Sequence, residues 1–233
     1  MKKTIYSLLL ISLQFACSND DDSSNTLNIN YDQSIVEITF RQAGETTAPQ
    51  INWFGNEGTF SATTLTMPGD DDLVGRVIFI DKLTGVISWD NRVPLGEKDI
   101  IITAVNATQT ATERITLINN FKNGLFIGGF NTDTSDEPDF SGIINDTSMV
   151  LSEDGTADLI ASDGSNFEGV GNWTADGSTV IVNFSTNESP PKEIVMVGFM
   201  FASSGGFEGR WGTGLNEDNE VENVMGLFSF END

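Results

Sequence analysis

Cys17 has the most distinctive chemistry in this sequence, because it is the single cysteine among 233 residues. A lone cysteine has no partner for an internal disulfide, so its thiol is available for modification. The chain has no histidine, the commonest general base and metal ligand. Serine–histidine and cysteine–histidine nucleophiles and the usual zinc sites are therefore excluded. Carboxylate chemistry, such as a glycosidase pair, stays open.

The segment before Cys17 has the pattern of a signal peptide. A basic start at residues 1–3 precedes an apolar run at 5–13, which is too short to span a membrane and has the length of a signal-peptide core. With Cys17 it resembles the lipobox of bacterial lipoproteins, in which the cysteine receives a diacylglyceryl group and cleavage occurs just before it. The family prefers leucine where Gln14 stands; Leu13 is one residue earlier. The alternative is an ordinary signal peptide and an unmodified cysteine.

An acidic stretch follows the cysteine, with Asp20, Asp21 and Asp22 in succession. Residues 17–26 have little to bury and are expected to form a flexible tether. The aspartates resemble the export signal of Bacteroidetes-type surface lipoproteins. That resemblance implies a lipid anchor in the outer membrane and exposure at the cell surface; a periplasm-facing anchor is the alternative.

The rest of the chain is strongly acidic. Without residues 1–16 it has nine basic and 35 acidic side chains, a net charge of −26. Because this balance does not attract phosphate backbones, nucleic-acid binding is not expected. Cations and basic partners are the electrostatically favoured ligands. No cofactor is expected, and Ca²⁺ is the one candidate ion.

Short runs of Val, Ile, Thr and Phe, separated by Gly, Asn and Asp, predict an all-β protein of sandwich or barrel architecture. Asp-Gly pairs, which favour hairpin turns, occur at 154–155, 163–164 and 176–177. The acidic excess grows near residue 119, where residues 119–124 have the composition of a linker. We therefore predict two β domains, at residues 27–118 and 123–233.

Residues 81–118 carry the most specific pattern of the first domain. Three strands are separated by turns at Thr84-Gly85 and Pro94-Leu95-Gly96. The segment resembles the cadherin-like and immunoglobulin-like (Ig-like) repeats of bacterial surface proteins, with Asp-x-x-Thr-Gly-Val-Ile-Ser-Trp, then Pro-x-Gly, then a strand ending in Ala-x-Asn. This implies an Ig-like β-sandwich. Further strands are predicted at 34–40, 58–60 and 76–80.

In the second domain, glycine and aromatic residues alternate around Trp173 and Trp211, a pattern that suits the curved sheet of a barrel. This domain is similar to the lipocalin-like barrel domains of such lipoproteins, which implies an antiparallel β-barrel, with a second sandwich as the alternative. Eight or nine strands are predicted, at 125–130, 140–144, 148–151, 157–161, 168–173, 179–184, 194–201, 207–212 and 224–230.

One loop of the second domain is a candidate Ca²⁺ site. Asp133, Asp136, Glu137 and Asp139 place several oxygen ligands close together in sequence, and Ca²⁺ prefers oxygen ligands. The EF-hand pattern fails, because no glycine stands at its sixth position and Ile144 occupies the twelfth. A solvated acidic loop is the alternative.

Two further features could bind a ligand. Trp173 and Trp211 either pack in a core or form a platform on which sugar rings stack. Residues 194–201 are apolar on both faces of the predicted strand, where one face should be polar. Either a loop or the first domain covers this strand, or it forms an apolar cavity or patch that receives a partner.

These features together predict a non-enzymatic surface lipoprotein, in which an Ig-like spacer displays a β-barrel binding module. A glycan, an outer-membrane protein or a host surface is the expected partner. The first alternative is a lipocalin-like carrier of a small apolar ligand. The second is a glycan hydrolase, which needs two carboxyl groups about 5–10 Å apart.

Lipidation at Cys17 predicts that Cys17→Ala, expressed behind a signal peptide that the general signal peptidase cleaves, leaves the mature protein outside the membrane fraction. The lipid supplies the attachment, at roughly 0.8 kcal/mol per buried methylene. Fractionation of cells and detergent partitioning measure this. Unchanged membrane attachment of Cys17→Ala would show that the thiol is not the anchor. Proteolysis of intact cells reports which side of the membrane the protein faces.

Overall fold

The computed structural model describes residues 26–65, 72–161 and 168–233. Within these ranges the chain forms seventeen strands and no helix, which confirms the predicted all-β class. The described residues thus contain no helix with the length and hydropathy to cross a membrane. The predicted lipidation and export residues lie outside the described ranges: Cys17, Asp20, Asp21 and Asp22.

Nine strands precede residue 121 and form three sheets. They are β1 (Ile29–Asn30), β2 (Ile35–Thr39), β3 (Gly44–Glu45), β4 (Gln50–Ile51), β5 (Thr59–Thr64), β6 (Ile78–Ile80), β7 (Ile87–Trp89), β8 (Gly96–Val105) and β9 (Thr110–Asn120). One sheet has the order β2-β9-β8-β5, another has the order β3-β7-β6, and β1 pairs with β4. β2 runs parallel to β9, and the other pairs are antiparallel.

The four-stranded and three-stranded sheets share one apolar core. In β8, Ile100 and Ala104 are fully buried while the residues beside them are partly exposed, because successive side chains of a strand point to opposite faces. They belong to the same buried cluster as Ile87 and Trp89 of the other sheet. Two sheets packed face to face over one core form a β-sandwich, as predicted for this part of the chain.

Both predicted turns of the sandwich are present. Gly85 and Gly96 have φ values of 74° and 89°, a left-handed conformation that glycine adopts at little cost. The sequence did not predict β1, β3 and β4, because each has two residues and a periodicity of two cannot be recognised over so short a run.

Eight strands after residue 123 close into an antiparallel barrel. They are β10 (Gly124–Phe130), β11 (Thr147–Leu151), β12 (Thr156–Ala161), β13 (Gly169–Asp176), β14 (Thr179–Thr186), β15 (Glu193–Met200), β16 (Gly206–Leu215) and β17 (Val221–Asn232). Each strand pairs with the next, and β17 pairs back with β10. Of the two predicted architectures, barrel and sandwich, the chain adopts the barrel.

The strand predicted at 140–144 is wrong. These residues lie in the connection between β10 and β11, where Asp139 Oδ1 accepts a hydrogen bond from the Ser141 N–H at 2.9 Å and Ile143 N–H donates to the Phe140 carbonyl. Such local bonds offer the backbone an alternative to a strand ladder. Ile144 is 72% exposed, so the segment also lacks the burial that would favour a strand.

Side chains fill the interior of the barrel. The large buried residues of this core are Phe126, Met149, Phe184, Met196, Met200, Phe207, Trp211, Phe228 and Phe230. Glycines on neighbouring strands make room for them: a Cβ on Gly171 would lie 2.6 Å from the Phe184 Cα, and one on Gly198 would lie 2.5 Å from the Phe228 ring. The alternation of glycine and aromatic residues in the sequence therefore reflects packing inside a closed wall.

The sandwich closes one end of the barrel, the end where β10 starts and β17 finishes, which we call the proximal end. Phe121, between β9 and β10, is buried in the barrel core. Its ring lies 5.2 Å from Trp173, 5.7 Å from Phe126 and 5.5 Å from Phe40, which follows β2. Leu95 of the sandwich is buried in the same cluster, so the two units share side-chain packing.

Phe121→Ala is expected to lower the free energy of unfolding by about 3–5 kcal/mol, because truncation of a buried phenylalanine leaves a cavity. Denaturant unfolding followed by tryptophan fluorescence measures the change. Leu83→Ala, at a side chain that is 79% exposed, is the control and should stay within about 0.5 kcal/mol of the parent. A loss below about 1 kcal/mol for Phe121→Ala would contradict this packing of the junction.

Candidate binding groove

An open groove of about 970 Å³ runs along the outer wall of the barrel. Its lining comes from the outer faces of β13–β16 and from the tip of the hairpin that joins β16 to β17. The groove lies at the upper end of the range of about 300–1,000 Å³ that is usual for small-molecule sites. Because it combines an apolar floor with charged side chains, we treat this groove as the candidate site.

The floor of the groove is apolar. Ile181 of β14 is the register partner of Val197 of β15, and Phe199 follows two residues later on the same face. Phe199 is 48% exposed, and its ring lies 5.1 Å from that of Phe201. The residues that alternate with this floor point into the barrel and are fully buried: Val180, Val182 and Met196.

The hairpin between β16 and β17 forms one wall of the groove. These are the longest strands of the barrel, with 10 and 12 residues, and their register shifts between Trp211 and Gly212, which increases the local bend and twist. At the tip, Asn216 Oδ1 accepts hydrogen bonds from the N–H groups of Asp218 at 3.0 Å and Glu220 at 2.8 Å. The wall is therefore an ordered turn.

Carboxylates surround the apolar floor. The acidic residues that line the groove, here called the rim carboxylates, are Asp176, Glu208, Asp218 and Glu220. Among the described lining residues, Arg210 carries the only positive charge. Its Nη2 donates a hydrogen bond to the Ser135 carbonyl at 2.8 Å, so this guanidinium is already engaged by the β10–β11 loop. The groove thus presents net negative charge.

The acidic β10–β11 loop uses its carboxylates to hold its own backbone. Asp133 Oδ1 accepts from the Ser135 N–H at 2.9 Å, and Oδ2 accepts from the Asp139 N–H at 3.1 Å. These bonds lower the pKa of the Asp133 carboxyl, since they favour its charged form. The Asp139 carboxylate, bonded to Ser141, also has a lowered pKa.

The predicted Ca²⁺ ligands are not assembled into one cluster. Over residues 26–65, 72–161 and 168–233, no group of three or more His, Cys, Asp or Glu side chains is arranged to hold a metal ion. The four candidates are Asp133, Asp136, Glu137 and Asp139. The carboxylates of Asp133 and Asp139 instead accept hydrogen bonds from the backbone of the loop itself.

Both candidate tryptophans have core contacts. Trp211 is 4% exposed, and its Nε1 donates to the Asn131 carbonyl at 2.9 Å. Trp173 is half-buried against the proximal end, and its Nε1 donates to the Ser152 carbonyl at 2.8 Å. A buried indole whose N–H has a partner is typical of core packing, and Trp211 in particular has no face open to a sugar ring.

The apolar strand at 194–201 is covered at one end and open at the other. Val195 is 7% exposed, whereas Phe199 and Phe201 are exposed to solvent, so the strand is covered near its start and leaves an open apolar patch near its end. Sequence reasoning did not single out Ile181, and it did not bring the rim carboxylates together in one site. A signal for Ile181 exists in the run Val180-Ile-Val182, which is apolar on both faces, but nothing local predicts that Asp176 and Asp218 line the same groove.

Comparisons with known proteins add little to this geometry. No family model and no curated protein matches the chain. The solved structures that it resembles include the extracellular cadherin domains 1–4 of protocadherin gamma B7, with 10% identity and a TM-score of 0.29 over 73% of this chain and 48% of that chain. Another is a Bacteroides thetaiotaomicron VPI-5482 protein of unknown function, with 15% identity and a TM-score of 0.23 over 85% of this chain and 55% of that chain. The chain spans about half the length of each, and neither score supports an inference.

Self-capping of the β10–β11 loop predicts that Asp133→Ala accelerates limited proteolysis by proteinase K within residues 132–140 several-fold, because two backbone N–H groups lose their acceptor. Asp136→Ala is the matched control, since the hydrogen bonds described above use Asp133 and Asp139. Millimolar CaCl₂ should leave the cleavage rate of the parent unchanged. Protection by CaCl₂ that both substitutions abolish would instead indicate a cation site.

Proposed function

We propose that this protein is a non-enzymatic, lipid-anchored binding protein of the outer-membrane surface, and that the outer groove of its barrel receives the ligand. The ligand is a glycan, a protein or a component of a host surface. The observation that carries this proposal is a filled, closed barrel with an open, apolar-floored groove of about 970 Å³ on its outside.

The filled interior supports binding on the outer wall. A barrel that carries a small apolar ligand needs an apolar cavity, whereas Phe, Met and Trp side chains occupy the interior here. This packing argues against the lipocalin-like carrier. Each strand of the barrel is also paired on both sides over part of its length, which limits the addition of a partner strand. Side chains of the outer surface are the groups left to recognise a ligand.

The lipid anchor and the sandwich would together place the groove away from the membrane. Lipid on Cys17 and the aspartates at positions 20–22 would hold the chain at the outer membrane and direct it to the surface. The sandwich follows the tether and contacts the proximal end of the barrel through Phe121 and Leu95. It would therefore act as a spacer between the membrane and the groove.

Phe199→Ser tests the groove as the binding site. An array of glycans, peptides and lipids is screened with the chain from residue 17 carrying Cys17→Ala, and each hit is titrated. Loss of an exposed aromatic anchor should weaken binding by about thirtyfold, since such anchors contribute about 2 kcal/mol. The fold should be unaffected, because the side chain is half exposed.

Ile160→Ser is the matched control, at an apolar side chain that is 55% exposed on β12 and outside the groove. It should bind every hit as the parent does. Equal loss in both variants, or no loss in Phe199→Ser, would place binding elsewhere. Release of sugar from any glycan in the screen would support the alternative function, a glycan hydrolase.

A further inference from the structure

Over the residues that the structure describes, no ion pair neutralises the charge of the rim carboxylates. Ion pairs at other places use Asp90, Asp99, Glu153 and Glu188, and none of these four pairs includes a rim carboxylate. Glu208 Oε1 accepts a hydrogen bond from the Ser229 hydroxyl at 2.9 Å, and Glu220 Oε2 accepts one from the Asn216 amide at 3.3 Å. Both donors are neutral, so the negative charge remains.

The apolar floor and the charged rim require two chemical features in one ligand. Ile181, Val197 and Phe199 would bury apolar groups, while carboxylates on two sides favour cations and repel anions. A polyphosphate or an anionic glycan would meet like charge. A neutral glycan would leave the rim charge without a partner.

An extended chain can meet the charged side chains on both sides of this open groove. Its lining reaches from Asp176, at the turn between β13 and β14, to Asp218 and Glu220 at the tip of the β16–β17 hairpin. These segments flank the floor, so positive groups spaced along a ligand can meet both. In an extended peptide, alternate side chains point in opposite directions, about 6–7 Å apart on one side.

We propose that the groove binds an extended basic peptide segment, with its apolar side chains on the Phe199 floor and its lysines or arginines at the rim carboxylates. The proposal rests on the groove being the binding site and adds the chemistry of its occupant. Recognition depends mainly on side chains, because each barrel strand is already paired on both sides over part of its length.

Titration of fluorescein-labelled nine-residue peptides tests this. The probes are one peptide of alternating Lys and Leu and one of alternating Glu and Leu. The Lys-Leu peptide should bind the chain from residue 17 carrying Cys17→Ala, and the Glu-Leu peptide should not. Raising the salt concentration from about 50 to about 500 mM should weaken binding, since salt screens exposed charges.

The triple variant Asp176→Asn, Glu208→Gln, Asp218→Asn should weaken Lys-Leu binding by about tenfold at low salt. The matched control removes three exposed carboxylates of the sandwich, in Glu37→Gln, Glu45→Gln, Glu57→Gln. It has the same net charge as the triple variant, so nonspecific attraction to an acidic protein would fall equally in both. The control should bind the Lys-Leu peptide about as tightly as the parent.

The outcomes separate this inference from the proposed function. Equal binding of both peptides, or equal losses in the rim variant and its control, would overturn the basic-peptide inference. Binding of a glycan or lipid could be weakened by Phe199→Ser and unchanged in the triple variant of the rim carboxylates. The groove would then remain the binding site, and the basic-peptide inference would fail. If no probe responds to either variant, both proposals fail.

Discussion

Closure of the barrel depends on one pairing between strands that are distant in sequence, β10 with β17. The ring that this pairing completes is narrow, and side chains fill it because glycines stand beside the aromatic rings. Gly171 and Gly198 allow backbone to approach Phe184 and Phe228 more closely than any residue with a Cβ would permit. A filled interior and paired edges leave the outer surface as the place where this barrel can contact another molecule.

The junction with the sandwich excludes water from one end of the barrel core. The proximal end would expose Phe126 and Trp173 if nothing covered it. Phe121 and Leu95 supply that cover from outside the eight strands, and Phe40 adds an edge-to-face contact at 5.5 Å. Because aromatic contacts of this kind are directional, the junction also constrains the orientation of the barrel relative to the sandwich. A sandwich that is packed against the barrel in this way holds the groove in one orientation.

The groove arises where the barrel departs from the ordinary alternation of apolar and polar residues. β15 is apolar on both faces, and Ile181 adds an apolar side chain to the outer face of β14. Along the outer face of β15, Val195 is covered and Phe199 is not. Apolar surface left open beside uncompensated carboxylates is costly to keep as solvent-exposed structure. The proposed peptide would bury that surface and would supply the missing positive charge.

The amino-acid sequence by itself determined the local features of this protein. Two-residue alternation in Ile100–Ala104, glycines at turns such as Gly85, and Asp-Gly at 154–155 predicted strands and hairpins, since these depend on neighbours in the chain. The absence of histidine excluded histidine-based catalysis and the usual zinc sites, and the excess of carboxylates made nucleic acid an unexpected ligand. Closure by β10 and β17, the burial of Trp211 and the approach of Asp176 to Asp218 were decided by tertiary structure. These contacts join residues tens of positions apart, and no local pattern specifies which strands at that separation will pair.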